Sequence, residues 1–285
     1  MINPLFDPKH RLRNGWWALL FFVVLAAFVI PAQLWATPRG AQVPLPAQAL
    51  MALFATAACT AMRREPMSAV FGRARGVPRN VTYGVVAGFA LWSLTASMLW
   101  MTGCVRWSAN PDAFAVIAPA LLGCAATAIT EELIFRGFVF QRLVDGLGAW
   151  PAQLLMGAYF VLNHWNNPGM TGVTRVIATV DIFAASLLFG LVRLRTRGLA
   201  LPIALHFALN ATQGVLLGFG VSGNASTGLL TPHLAGPTWW TGGAFGLEAS
   251  LPGTAVIMLA TIALARRRHR LVGMQTLDTS RLQRA

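Results

Sequence analysis

Eight apolar segments divide this sequence, and each is roughly long enough to cross a hydrocarbon core of about 30 Å as a helix. Hydrophobic residues make up 56% of the 285 residues and charged residues only 11%, which is too apolar for an ordinary soluble domain. The sequence therefore predicts an all-α, polytopic membrane protein that forms a single integral membrane domain over residues 1–285. The predicted spans cover residues 16–36, 46–62, 82–102, 113–140, 149–164, 176–192, 199–219 and 247–265.

Basic residues lie between the apolar segments, and their density alternates along the chain. The net charge of +13 is therefore spread over short connecting segments, a distribution that indicates a membrane topology and argues against nucleic-acid binding. The positive-inside rule predicts a multi-pass protein of the cell (inner) membrane with both termini in the cytoplasm. The basic segments are 9–13, 63–79, 142, 193–197 and 266–270, whereas the alternate segments contain only Arg39, Arg106 and Arg175.

Glycine and other small residues predict two further features. Small residues four apart, at Gly84/Gly88, Ser186/Gly190 and Gly214/Gly218, favour close helix contacts, more often within one chain than between two. Residues 221–246 are rich in Gly, Ser, Thr and Pro, which predicts an extracytoplasmic loop with little core.

Three charged side chains lie in the inner part of the fourth apolar segment, in Thr130-Glu131-Glu132-Leu133-Ile134-Phe135-Arg136-Gly137. Glu132 and Arg136 are four residues apart, so they share a helix face in the favourable order for an ion pair. Glu131 is rotated about 100° from Glu132 and lacks that partner. One carboxylate is thus predicted to be structural and the other to serve as a general base, although such a pair alone can also simply stabilise a helix.

Two later spans each carry a histidine with a partner one helical turn away, Phe160/His164 and His206/Asn210. At 1.5 Å per residue from the cytoplasmic ends, Glu131, His164 and His206 lie at depths of roughly 15, 20 and 15 Å. The side chains are therefore predicted to meet near mid-membrane. Taken singly, each histidine could bind a neighbour's carbonyl and Asn210 could join two helices. Asp181 is predicted to have a local structural role.

These motifs resemble the CPBP family, which comprises CAAX prenyl endopeptidases, bacteriocin-processing and immunity proteins and related intramembrane proteases. The resemblance rests on Glu131-Glu132-x-x-x-Arg136, Phe160-x-x-x-His164 and His206-x-x-x-Asn210. It covers residues 113–214, about a third of the chain. It implies peptide-bond hydrolysis in a cavity between the fourth, fifth and seventh spans that opens toward the cytoplasm.

The resemblance also implies roles for the motif residues. Glu131, helped by His164, would activate a water, and His206 with Asn210 would stabilise the oxyanion, whereas Glu132 and Arg136 would hold the helix. Family members are commonly described as metalloproteases, and a glutamate with two histidines can bind zinc. No H-E-x-x-H motif is present, however, and the same residues can act without a metal. The implied partners are the lipid bilayer and membrane-associated or lipidated, CAAX-like peptides.

Other functions remain open from the residues alone. The same Glu, His and Asp side chains could form a proton relay in a transporter, or the protein could be an immunity factor that binds a membrane peptide without cutting it. Gly220-Val221-Ser222-Gly223 matches the short G-x-S-G of rhomboid proteases, but it lies at the outer end of a span and has no suitably placed histidine after it. The sequence does not indicate an oligomeric state.

Overall fold

The computed structural model describes residues 5–6 and 12–282, with side chains described as far as Arg266. Lys9 and Arg11, which entered the topology prediction, lie outside the described residues, as do the side chains of the basic residues after Arg266. The helices are α1 Asn14–Ala36, α2 Leu45–Met62, α3 Ser68–Phe71, α4 Val77–Met101, α5 Ala113–Arg136, α6 Phe138–Leu147, α7 Ala149–His164, α8 Gly172–Thr196, α9 Ala200–Asn210, α10 Thr238–Thr241 and α11 Leu251–Leu282.

The all-α, multi-pass fold is confirmed. All eight predicted spans contain a helix. Within the described part of the chain, five helical segments are long and apolar enough to cross a membrane, and two further apolar helices, 200–216 and 251–266, are shorter. The remaining predicted span, α7, has 16 residues. The predicted location of the termini stays a prediction.

The fourth predicted span, 113–140, is not one continuous helix. Helix α5 ends at Arg136, and Gly137 adopts φ −81° and ψ −130°, which is outside the helical region. A side chain at residue 137 would collide with the Leu133 carbonyl oxygen, so glycine permits this sharp change of direction. Helix α6 begins at the next residue. The break leaves Glu131, Glu132 and Arg136 in the last turns of α5.

Glycines bring α4 against α9, as the small-residue pattern predicts. A Cβ atom at Gly84 would lie 2.7 Å from the Cβ of Ala204, and one at Gly88 would lie 2.7 Å from the Cβ of Ala208. The two helix backbones therefore lie too close together for a larger side chain at either glycine. This contact is made within a single chain, as the sequence favours. Helix α9 carries His206, so this contact helps to fix the histidine's position.

The seventh span changes its winding directly after Asn210, where residues 211–216 form a π-helix. Such segments are rare and occur often at functional sites.

The other two small-residue pairs that the sequence indicates, Ser186/Gly190 and Gly214/Gly218, also make close contacts. Ser186 and Gly190 face side chains of α5 and α7, whereas Gly214 and Gly218 face residues 221–232 of the following segment and not another helix.

The segment between α9 and α11, residues 217–250, is called the outer segment below. Its strand β2, Leu230–Leu234, pairs antiparallel with β1, Val105–Ala109, in the connection between α4 and α5. Phe245 and Leu247 are fully buried in two different apolar clusters. Phe245 is the one large apolar side chain buried within the predicted loop, 221–246, because Leu247 already belongs to the last predicted span. The loop therefore has little core, as predicted, and its extracytoplasmic position stays a prediction.

Candidate active site

Helices α5, α8 and α9 build a buried charged network, called the inner cluster, from Glu131, Glu132, Arg136, Ser186 and His206. The predicted ion pair is present, with Arg136 Nη1 3.2 Å from Glu132 Oε1. Both side chains are almost inaccessible, at 1% and 0% exposure. Arg136 Nη2 also donates a 2.7 Å hydrogen bond to the Ser186 hydroxyl on α8. Removing either partner of such a pair would leave an uncompensated buried charge.

Aromatic rings surround the Arg136 guanidinium on its other sides. Its Cζ lies 4.5 Å from the ring centre of Phe160, 5.1 Å from that of Phe189 and 5.7 Å from that of Phe135. Cations over ring faces gain electrostatic attraction when they are desolvated. These contacts hold the guanidinium, and with it Glu132, in a single position.

His206 lies between the two glutamates, a connection that the sequence did not predict. Its Nδ1 donates to Glu132 Oε1 over 3.0 Å, and its Nε2 lies 3.7 Å from Glu131 Oε2. Phe189 stacks on the imidazole with ring centres 4.9 Å apart and planes 11° apart. Because Nδ1 is used by Glu132, Nε2 is the nitrogen left for other groups. Glu131 Oε2 has no hydrogen-bond partner among the described residues.

His164, His206 and Asn210 line one small cavity of about 30 Å³, which is room for about one water molecule. The remaining walls come from α4, α8, α11 and the outer segment. The lining residues are Trp92, Phe160, His164, Asp181, Ile182, Ala185, Phe189, His206, Leu209, Asn210, Ser222, Glu248 and Ile257. The fifth and seventh predicted spans thus line the cavity, and the fourth reaches it through the contact of its glutamates with His206.

His164 is held by its own helix. Its Nδ1 donates to the Phe160 carbonyl oxygen over 2.7 Å, since a carbonyl can only accept. In the neutral imidazole Nε2 is then an acceptor. Within the described chain, no hydrogen bond joins His164 to Glu131. The phenylalanine of the second motif has two functions, because its carbonyl orients His164 and its ring covers Arg136.

A second polar group, called the outer cluster, consists of Asn167, Ser222 and Glu248, and the sequence reasoning missed it. Glu248 accepts from the Ser222 amide at 2.6 Å and from the Ser222 hydroxyl at 3.1 Å. Asn167 Nδ2 donates to the Ser222 carbonyl over 2.8 Å. Ser222 has φ +48°, an uncommon conformation for a residue other than glycine. The one available signal was Glu248 itself, a carboxylate at the start of an apolar span.

Asp181 lies beside the outer cluster on α8. Its side chain is buried, lines the cavity, and leaves Oδ1 without a hydrogen-bond partner among the described groups. A purely local structural role would normally satisfy both carboxylate oxygens. The structure therefore adds Asp181 and Glu248 to the polar side chains at this cavity.

In the described part of the chain, no three His, Cys, Asp or Glu side chains converge as metal ligands. His164 Nδ1 is bonded to a backbone carbonyl and His206 Nδ1 to Glu132, so Nε2 is the ring nitrogen that each histidine has left for another group, a metal ion included.

The fold and the site together define a class, a multi-pass helical membrane protein with a buried glutamate–histidine centre. Residues 113–212 match the family model described as "Type II CAAX prenyl endopeptidase Rce1-like", and this match confirms the resemblance to the CPBP family over that segment. No curated protein shows significant similarity to the chain. The matched segment contains α5 to α9 and all three motifs. It supports a membrane protease.

Proposed function

We propose that this protein is an intramembrane endopeptidase in which Glu131 activates a water molecule to hydrolyse a peptide bond. The observation that carries the proposal is the position of His206, which contacts both glutamates and lines the same cavity as His164 and Asn210. General bases, oxyanion donors and a space of water size are the parts that peptide hydrolysis needs. The family of the matched segment favours the same reaction.

In the proposed reaction, Glu131 Oε2 accepts a proton from water as the water oxygen bonds to the carbonyl carbon of the peptide. This oxygen is buried and has no hydrogen-bond partner among the described groups. His206 Nε2 lies 3.7 Å from Glu131 Oε2. A water hydrogen-bonded to Glu131 Oε2 at about 2.8 Å can therefore also lie close to His206 Nε2. When the C–N bond breaks, Glu131 returns the proton to the leaving nitrogen, so the carboxylate is regenerated.

The negative oxygen that forms during attack is stabilised by donors on α9. His206 and Asn210 are one turn apart, and both line the cavity. With both ring nitrogens of His206 protonated, Nδ1–H donates a hydrogen bond to Glu132 and orients the ring, so that Nε2–H and the Asn210 amide can point at one oxygen. His164, which lines the cavity together with His206, assists proton movement at Glu131. Glu132 and Arg136 act by positioning His206 and not by touching the substrate.

The proposed substrates are membrane-associated peptides or lipidated C-termini, including CAAX-like sequences, in keeping with the family that residues 113–212 match. The proposed location is the cell (inner) membrane, with both termini and the cavity opening on the cytoplasmic side. Basic residues at the ends of α2 and α8, and Arg142 within α6, support this orientation.

The test is mass spectrometry of products after lipid-reconstituted protein is incubated with prenylated CAAX peptides and unmodified hydrophobic peptides. Glu131→Gln is expected to lower cleavage about 10²–10⁴-fold, the usual contribution of a general base. Glu65→Gln is a matched control, since Glu65 is 26% and Glu131 is 23% exposed and Glu65 lies outside the proposed site. Products that persist in Glu131→Gln would contradict the proposal. Binding of peptides by both proteins without any product would favour the peptide-binding alternative.

A further inference from the structure

An arginine-rich groove lies at the end of the bundle where α3, α6 and the turn between α8 and α9 meet. Its volume is about 1130 Å³. Asp145 is the sole carboxylate among the described residues that line the groove, and it is paired with Arg142 over 3.1 Å. The six arginines that line the groove are Arg73, Arg75, Arg79, Arg193, Arg195 and Arg197. Most of this positive charge is thus not neutralised by the groove's own acid.

The groove is built by close backbone contacts and is not a chance gap between mobile side chains. Gly72 and Gly198 allow the two wall segments to touch, since a Cβ at Gly72 would lie 2.8 Å from the Gly198 Cα. Arg193 is buried beneath the groove, where its Nε donates to the Arg136 carbonyl over 3.1 Å and its Nη2 to the Ala69 carbonyl over 3.3 Å. The floor is therefore fixed to the end of α5.

A stripe of exposed apolar side chains leads away from the groove along α4. Val77 lines the groove, and Val81, Val85 and Phe89 follow at intervals of four residues, all of them exposed. Residues four apart share one helix face, so the stripe runs about 18 Å along the helix. Its far end, Val85 and Phe89, borders an apolar groove of about 450 Å³ between α4, α5 and α9.

We propose that the arginine-rich groove binds the headgroup of an anionic phospholipid, whose acyl chain lies along Val77, Val81, Val85 and Phe89. Guanidinium groups bind phosphate oxygens in pairs, and basic clusters at a membrane surface attract anionic lipids. The groove adjoins the exposed apolar face of a membrane-spanning helix, so a lipid can enter it from the bilayer with its acyl chain still on that face, and an acidic peptide is an outcome of the test. This inference does not depend on the proposed proteolysis.

The test uses the full chain in mixed micelles and counts bound lipid by native mass spectrometry. Phosphatidylglycerol is compared with phosphatidylcholine of the same acyl chains. The variant Arg75→Gln/Arg79→Gln removes two exposed groove charges, and Arg39→Gln/Arg106→Gln removes two exposed charges outside the groove. We expect phosphatidylglycerol affinity to fall about tenfold or more in the groove variant and to be unchanged in the control. Thermal unfolding checks that both variants fold.

Three outcomes would overturn the proposal. Equal phosphatidylglycerol affinity in the two double variants would mean that the groove does not hold the headgroup. Displacement of the lipid by an equal concentration of inorganic phosphate or of an acidic peptide would show that the site selects anions and not a lipid. Equal affinity for a short-chain, water-soluble phosphatidylglycerol would remove the apolar stripe from the site.

Discussion

The inner cluster and the outer cluster each contain a glutamate near the same cavity, which Glu248 lines and which Glu131 approaches through His206, but the two carboxylates are bonded differently. Glu248 in the outer cluster accepts hydrogen bonds from the amide and the hydroxyl of Ser222. Glu131 in the inner cluster has an oxygen without a hydrogen-bond partner, 3.7 Å from His206. A carboxylate whose oxygens are satisfied holds a loop, whereas one with an available oxygen can accept a proton. This difference is the basis on which we propose a structural role for the outer cluster and a chemical role for Glu131 in the inner cluster.

The largest effect on stability is expected from Glu132→Gln. Loss of the carboxylate leaves the buried Arg136 without its ionic partner, which should cost about 3–5 kcal/mol of unfolding free energy. The double variant Glu132→Gln/Arg136→Met should recover much of this stability while cleavage stays low, because His206 loses its charged hydrogen-bond acceptor. Reversible unfolding in mixed micelles measures the free energy. A single variant as stable as the wild type would show that the inner pair is not a structural requirement.

Glu248→Gln tests the role of the outer cluster. The change replaces charge-assisted hydrogen bonds to Ser222 and should cost about 1.5–3 kcal/mol. We expect faster amide hydrogen exchange at Ser222 and Asn224, with cleavage retained within about tenfold. If Glu248→Gln instead abolished cleavage as fully as Glu131→Gln does, with exchange unchanged, the distinction between the two clusters would be wrong.

Gly88→Ala tests how tightly the inner cluster depends on its support. The added methyl group would lie 2.7 Å from the Ala208 Cβ and 2.8 Å from the Leu205 carbonyl oxygen, so α9 must shift. Overpacking of this kind costs about 1–3 kcal/mol, and the shift should also reduce cleavage by displacing His206. Gly123→Ala is the matched control, since its nearest neighbour would be Leu45 Cδ1 at 3.6 Å. Equal loss of cleavage in both variants would argue against a specific effect of α9 position.

The smallest effect is expected from Ser222→Gly. Glycine relieves the left-handed strain at φ +48° but loses the hydroxyl bond to Glu248, so the two changes of about 1 kcal/mol should nearly cancel. Cleavage should be unchanged, as the amide bond to Glu248 remains. A complete loss of cleavage in a folded Ser222→Gly protein would make Ser222 a nucleophile and return the rhomboid-like motif to consideration.

Features encoded by near neighbours could be predicted from the sequence. The helices follow from apolar length, and the pair Glu132–Arg136 follows from a spacing of four. Depth alone predicted that Glu131, His164 and His206 would meet; the two histidines line one cavity, whereas Glu131 lies 3.7 Å from His206 and does not line it.

Features that depend on distant partners could not be predicted. The contact between His206 and Glu132 joins residues 74 positions apart, and that between Ser222 and Glu248 spans 26 positions. The pairing of β1 with β2 likewise joins segments of little apolar pattern. In each case the partner is chosen by tertiary packing, for which local periodicity carries no signal.

The contact between α4 and α9 has a consequence for the modularity of the centre. The segment with recognisable motifs, 113–212, contains the proposed reactive groups. The glycines that let α4 pack against α9, and so fix the position of His206, precede this segment, and the Ser222–Glu248 contact follows it. An excised fragment with every motif residue would therefore lack the surfaces that align them. Introducing the motif residues into another helical bundle would supply the same side chains without the packing that aligns them.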